Sequence, residues 1–161
     1  MFSIQDVREG SADSMNKPFE TGPILIVEDD QDEAELARRV LKQVVPEQPV
    51  QFAVGDVDSL KFLFANDLVV CDLPSLVLLD LDLPQLDGAQ LLERLRANES
   101  TKSIPVVVLT SSDNEADVRR CYEAGANAYV VKPNQLGEIR ETIRAIALFW
   151  IGTNRTLKVA Q

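Results

Sequence analysis

LVLLDLDLPQLDG, Leu76 to Gly88, runs four apolar residues straight into aspartate and then adds two more aspartates before the glycine. An apolar run of this length with no polar alternation suits a strand buried on both faces, which is the habit of parallel sheets covered by helices. Comparable runs stand on either side: ILIV at 24–27, VQFAV at 50–54, VVVL at 106–109 and AYVV at 128–131, with the run around Leu76 opening at Ser75. Between them apolar residues return at helical spacing, as in Ala34, Ala37, Val40, Leu41 and Val44, or Leu91, Leu92 and Leu95. Five such β/α units predict an α/β fold with a parallel sheet between helical layers.

Ligands of open α/β sheets bind at the carboxyl ends of the strands. Four of the five runs end there on a polar residue: Glu28 and Asp29 after the first, Asp80 after the third, Thr110 after the fourth, Lys132 after the fifth. Each has a plain structural explanation when taken alone, as helix-start acid, turn residue, strand former or surface lysine. One geometric rule nevertheless places all five at a single rim. Converging carboxylates from Glu28, Asp29 and Asp80 would make an oxygen cage for Mg²⁺, or for Mn²⁺, hard ions that keep water and phosphate in their shell. Asp80 could then attack phosphorus and become an acyl phosphate, with Lys132 and Thr110 donating to the phosphoryl oxygens.

Composition narrows the chemistry further. The net charge of −10 disfavours nucleic acid and anionic lipid as partners. With no histidine in the chain, imidazole metal sites, Ser/Cys-His nucleophile pairs and an internal phosphohistidine are excluded. Cys71 and Cys121 are isolated, which suits a reducing compartment and packing roles. No apolar run reaches membrane-span length, and the N-terminus lacks a basic-then-apolar leader, so a cytoplasmic protein with no membrane contact is expected.

ILIVEDD, LVLLDLDLPQLDG, VVVLTSS and AGANAYVVKP, in this order, resemble the receiver domain of two-component response regulators, the chemotaxis-regulator fold. The resemblance spans 24–148 and leaves residues 1–23 as an N-terminal arm and 149–161 as a tail. It implies a doubly wound, flavodoxin-like sheet of strand order 2-1-3-4-5 flanked by five helices. It further implies Mg²⁺-dependent phosphoryl transfer from a partner histidine kinase to Asp80, in a signalling protein and not an enzyme. On this likeness Asp29 and Asp80 match direct metal ligands beside Glu28, and Asp82 lends its backbone carbonyl. Thr110 and Lys132 match the phosphoryl-binding hydroxyl and amine, Thr110 and Tyr129 the switch pair, and the Lys132–Pro133 bond is often cis. An acidic Asp82 side chain departs from the expected pattern and would alter the lifetime of the phosphorylated state.

The VLTSS, GANAYVVKP and terminal FW features are similar to single-domain regulators paired with bacterial phytochrome kinases. That finer likeness implies a homodimer. The last helix, beginning near Asn134, is expected to turn Leu136, Ile139, Ile143, Ile146 and Trp150 inward. AIALFWI, Ala145 to Ile151, is apolar all round and needs a second surface; this segment, with the fourth helix, fifth strand and fifth helix, is the expected dimer face. The residues after Lys132 suffice for that helix and a short tail, so no separate output domain is expected.

Two other readings compete. DLDL also resembles the Asp-x-Asp motif of haloacid-dehalogenase-type phosphatases, with Asp80 as nucleophile and Asp82 as general acid/base. That family needs further acids after the lysine, and only Glu138 and Glu141 follow, in a helical pattern. The other is a binding module indifferent to phosphorylation. Asp30-x-x-Glu33, Asp87-x-x-Gln90 and Ser112-x-x-Glu115 have the spacing of helix capping boxes, so Asp87 is the cap of the next helix.

Overall fold

The computed structural model describes residues 22–55, 60–64 and 73–156. Its elements run β1 (Ile24–Val27), α1 (Gln31–Val44), β2 (Val50–Ala53), a 3₁₀ turn (Lys61–Phe64), β3 (Leu76–Leu79), α2 (Gly88–Ala97), β4 (Val106–Thr110), α3 (Glu115–Glu123), β5 (Ala128–Val131), α4 (Leu136–Ala147) and a π-helical turn (Leu148–Thr153). All strands are parallel and ordered β2-β1-β3-β4-β5, as the resemblance implied. Four α-helices, not five, stand among the described residues. Between β2 and β3, where the fifth was expected, only the 3₁₀ turn falls within them, and Cys71 lies outside.

The period-2 geometry of a strand sorts each apolar run between two cores. Ile24, Ile26, Leu76, Leu78, Val107 and Leu109 face α1 and α4, where Val40, Leu41, Ile143 and Ile146 meet them. Leu25, Val27, Val77, Leu79, Val106 and Val108 face α2 and α3, packing on Leu91, Leu92, Leu95 and Cys121. Burial raises the Cys121 thiol pKa, so this cysteine acts as a small apolar packing group. No helix among the described residues is long and apolar enough to cross a membrane.

The caps refine the expected starts. Asp30 accepts from Asp32 N–H at 2.9 Å and Glu33 N–H at 3.0 Å, and Asp87 accepts from Ala89 N–H at 3.0 Å. The third helix is capped by Asn114, not Ser112. Ser112 is already engaged, with its hydroxyl donating to Asp117 Oδ2 at 2.6 Å and its carbonyl accepting from Tyr129. The last helix starts at Leu136 after Gln135, which makes no side-chain cap bond, and Leu136 is exposed and not turned inward as expected.

Arg96 ties the lower end of the sheet together. Its guanidinium donates to the carbonyls of Gly125 (2.9 Å), Ile104 (2.9 Å) and Lys102 (3.1 Å) and to Asn127 Oδ1 (2.8 Å). Gly125 sits at φ +101°, and a Cβ there would stand 2.8 Å from Arg96 Cγ, so backbone and stem fit only with glycine. Arg96→Ala leaves these acceptors without their charged donor and should cost about 2 kcal/mol in urea unfolding.

Candidate functional site

Hydrogen bonds of the strand ladder bring the rim residues together. Val27 lies beside Ala53 and Leu79 in register, so Glu28 and Asp80 leave adjacent strands at one level. Glu28 N–H donates to Ala53 O at 3.1 Å and Asp80 N–H to Val27 O at 3.0 Å, extending the ladder by one residue. On the other side Thr110 pairs with Val131, and Lys132 N–H donates to Thr110 O at 2.7 Å. This pairing aims Lys132 inward with a trans Lys132–Pro133 bond, which corrects the cis expectation.

Gly88 allows a close approach here. It opens α2, and a Cβ on it would lie 3.1 Å from Asp80 O and 2.8 Å from Leu81 Cδ2. The glycine after Asp87 thus lets the helix start press against the loop that carries Asp80.

Lys132 is the centre of the site. Its ammonium donates to Glu28 Oε2 at 2.8 Å, to Asp80 Oδ2 at 3.1 Å and to Glu33 Oε2. The Lys132, Glu28 and Asp80 side chains are 10%, 7% and 8% exposed, whereas Glu33 is 47% exposed. One cation therefore faces three carboxylates, two of them buried, an excess of negative charge in a poorly solvated place.

That imbalance shows in the titration. Burial raises the Glu28 pKa to about 8 and the Asp80 charge adds to it, while the Lys132 ammonium pulls the other way. Lys132 is shifted upward despite the opposing cost of burial, because Glu28, Glu33 and Asp80 favour its charged form. When one carboxylate holds a proton, the other two still retain the ammonium. Glu28 keeps its proton in the folded chain at pH values where the unfolded chain, near 4.5, has lost it. Without divalent ions, stability should therefore fall from about pH 5 to about pH 8 and then level off, by a few kcal/mol at most. Thermal melting in EDTA across that range checks the sign.

One oxygen from each of Glu28, Glu33 and Asp80 lies within 4.8 Å of the others, a donor set suited to a hard divalent ion. Asp29 is exposed and stands outside this trio. Asp82 is exposed too, and its N–H donates to Asp80 Oδ1 at 3.2 Å. Thr110 is fully buried, its hydroxyl accepting from Ser112 N–H at 3.4 Å. Tyr129 donates to Ser112 O at 2.9 Å, so Thr110 and Tyr129 meet on one loop residue. Burial, partly offset by this hydrogen bond, raises the Tyr129 pKa.

Of the five residues that the sequence puts at one rim, Glu28, Asp29, Asp80, Thr110 and Lys132, the fold brings Glu28, Asp80 and Lys132 into contact, and Asp29 is exposed outside that trio. Two further participants are not visible in the sequence as such: Glu33 has the spacing of a capping-box acid, and Ser112 that of a cap. For Glu33 the available signal was an acid one helical turn past the Glu28-Asp29 pair, on the face of α1 that looks back at the rim.

A carboxylate at a parallel strand end, beside a buried lysine and two further acids, sets a nucleophilic oxygen, a cationic donor and hard-ion ligands side by side. Residues 24–144 match the response regulator receiver domain, and the chain belongs to that family. Among particular proteins, it is similar to response regulator Rcp1 of Synechocystis, 35% identical over 131 residues, which are 81% of this chain and 89% of Rcp1. The solved Mn(2+)-bound form of Rcp1 superposes with a TM-score of 0.76 at 34% identity, covering 84% of this chain and 99% of that one. The phosphorylated cyanobacterial phytochrome response regulator RcpA also gives 0.76, at 29% identity, covering 84% and 98%. The "Probable methanogenesis regulatory protein FilR2" of Methanothrix harundinacea is 34% identical over 133 residues, 83% of this chain and 86% of FilR2.

Proposed function

We propose that this chain accepts a phosphoryl group on Asp80 from a partner histidine kinase and signals through protein contacts. The observation that carries the reading is the Asp80 carboxylate, its side chain 8% exposed at the end of β3 and hydrogen-bonded by Lys132 at 3.1 Å. In the transfer an Asp80 oxygen forms a bond to phosphorus as the donor's P–N bond breaks, and the imidazole nitrogen keeps the electron pair. Lys132 then holds one phosphoryl oxygen, and the Thr110 hydroxyl turns to donate to another. Glu28, Asp29, Asp80 and the Asp82 carbonyl would hold Mg²⁺ or Mn²⁺, which when bound neutralises charge on the phosphoryl oxygens.

Rcp1 and RcpA support a phytochrome-type kinase as donor, since RcpA is named a phytochrome response regulator. The net charge of −10 supports protein partners over nucleic acid, and the isolated thiols support a cytoplasmic setting. A homodimer would use α3, β5 and α4, the fourth helix, fifth strand and fifth helix of the expected fold, with the terminal apolar segment. Its support is the exposure of Val131, Leu136, Leu148 and Phe149, with Phe149 set edge-on to Trp150 at 5.1 Å.

Incubation with Mg²⁺ and either a small phosphodonor or a phosphorylated phytochrome-type kinase tests the reading. One acid-stable, base-labile phosphoryl group per chain is expected. Sustained hydrolysis of phosphomonoesters would overturn it in favour of a phosphatase, and dimerisation indifferent to phosphodonor would favour a constitutive binding module.

A further inference from the structure

Glu33 is the rim acid that the proposed transfer does not use. It stands at the third position of α1, where a capping-box acid would turn back to the N–H of the cap residue. Here Asp30 N–H donates instead to Glu28 Oε1 at 3.1 Å. Glu33 is thereby free to cross to Lys132, ninety-nine residues further along the chain.

An ammonium has three hydrogens. Glu28, Asp80 and Glu33 take all three, so no Lys132 donor is open to a phosphoryl oxygen. One acceptor must leave when a phosphoryl group arrives. The Glu28 and Asp80 side chains are only 7% and 8% exposed, so neither has the room to rehydrate that Glu33 has. The Glu33 side chain is 47% exposed and rehydrates by a rotamer change. Its carboxylate oxygen also lies within 4.8 Å of that of Asp80, close enough to be repelled by the added phosphoryl charge.

We propose that Glu33 is a positioning residue that fills, in the unphosphorylated protein, the Lys132 donor position a phosphoryl oxygen on Asp80 requires, and is expelled when that oxygen arrives. The inference rests on Asp80 being the phosphoacceptor. It makes Glu33 a resident competitor of the phosphoryl group. It also makes the start of α1 a segment that phosphorylation releases from the residue following β5.

Glu33→Gln and Glu33→Ala should bind the phosphoryl mimic beryllofluoride more tightly, with half-saturation at saturating Mg²⁺ falling roughly twofold to fivefold, the scale of a partly exposed charged contact. Glu33→Asp, charged but one methylene shorter, should fall between these variants and the wild type. The maximal extent of binding should not change, which separates competition from damage to the site, and melting temperatures serve as a folding control. The reactivity of the Lys132 amine toward an acylating reagent, mapped by peptide mass, should rise in Glu33→Gln without any phosphodonor present. Unchanged half-saturation overturns the proposal while leaving Asp80 as acceptor. Weaker binding overturns it as well and makes Glu33 a supporter of the bound state. Failure of wild-type chain to bind beryllofluoride overturns both readings, with Lys132 reactivity still reporting whether Glu33 restrains the amine.

Discussion

Asp80→Asn should reduce phosphoryl incorporation from a small donor by roughly a thousandfold or more, because an amide oxygen is a poor nucleophile toward phosphorus. The loss is chemical, not structural. Asparagine keeps the shape of the side chain, and its oxygen can still accept from Lys132, whose ammonium lies 3.1 Å from Asp80 Oδ2. Removing one of three crowded carboxylates also relieves repulsion on Glu28, which the Asp80 charge helps to push up to about 8. In EDTA the variant should therefore melt at or above the wild-type temperature. In Mg²⁺ that advantage should shrink, since a donor oxygen has been lost. Mass mapping of any residual label decides the assignment: phosphate retained on Asp29 or Asp82 in the variant would show that a neighbouring carboxylate is the acceptor.

The parallel direction of the strands was legible because strands buried on both faces leave a strong apolar signature, whereas their order followed only from the resemblance to receiver domains. ILIV, the residues after Ser75 and VVVL are apolar throughout, and the first polar residue after each falls at the same rim. Adjacent ends then follow from register alone, as with Glu28 and Asp80 beyond Val27 and Leu79. Contacts depending on side-chain reach across the fold were not legible. Glu33 meets Lys132 only after five strands have been laid side by side, and locally its spacing from Asp30 fits a capping box equally well. Arg96 reads as one more polar residue of an amphipathic helix until Gly125 and Asn127 are brought beneath it.

Competition between equivalent small polar residues explains a second group of differences. Ser112 and Asn114 can each cap a helix, and the choice goes to Asn114 because Tyr129 and Asp117 already hold Ser112. Leu136 fits the periodicity of the last helix and is nonetheless 57% exposed, since period fixes which face a residue takes but not whether the sheet extends beneath it. The apolar end of that helix was legible as something needing cover. Leu148 and Phe149 remain 43% and 50% exposed in the chain alone.

The opposite charge change should have the opposite effect on stability. Lys132→Met keeps a long apolar stem and removes the cation shared by Glu28, Asp80 and Glu33. Breaking a buried ion pair from one side costs about 3–5 kcal/mol, because the remaining charges stay buried without compensation. For a chain of this size the loss corresponds to roughly 10 °C in melting temperature. It should be largest at alkaline pH in EDTA, where Glu28 is ionised, and smaller at about pH 5, where Glu28 carries its proton. Mg²⁺ should then raise the melting temperature of Lys132→Met more than that of the wild type, since a divalent cation supplies charge that the lysine no longer does. Phosphoryl incorporation should fall by roughly 10²–10³ even in saturating Mg²⁺, the loss expected for one preorganised donor. An equal response of both proteins to Mg²⁺ would mean that the lysine and the metal do not share these carboxylates.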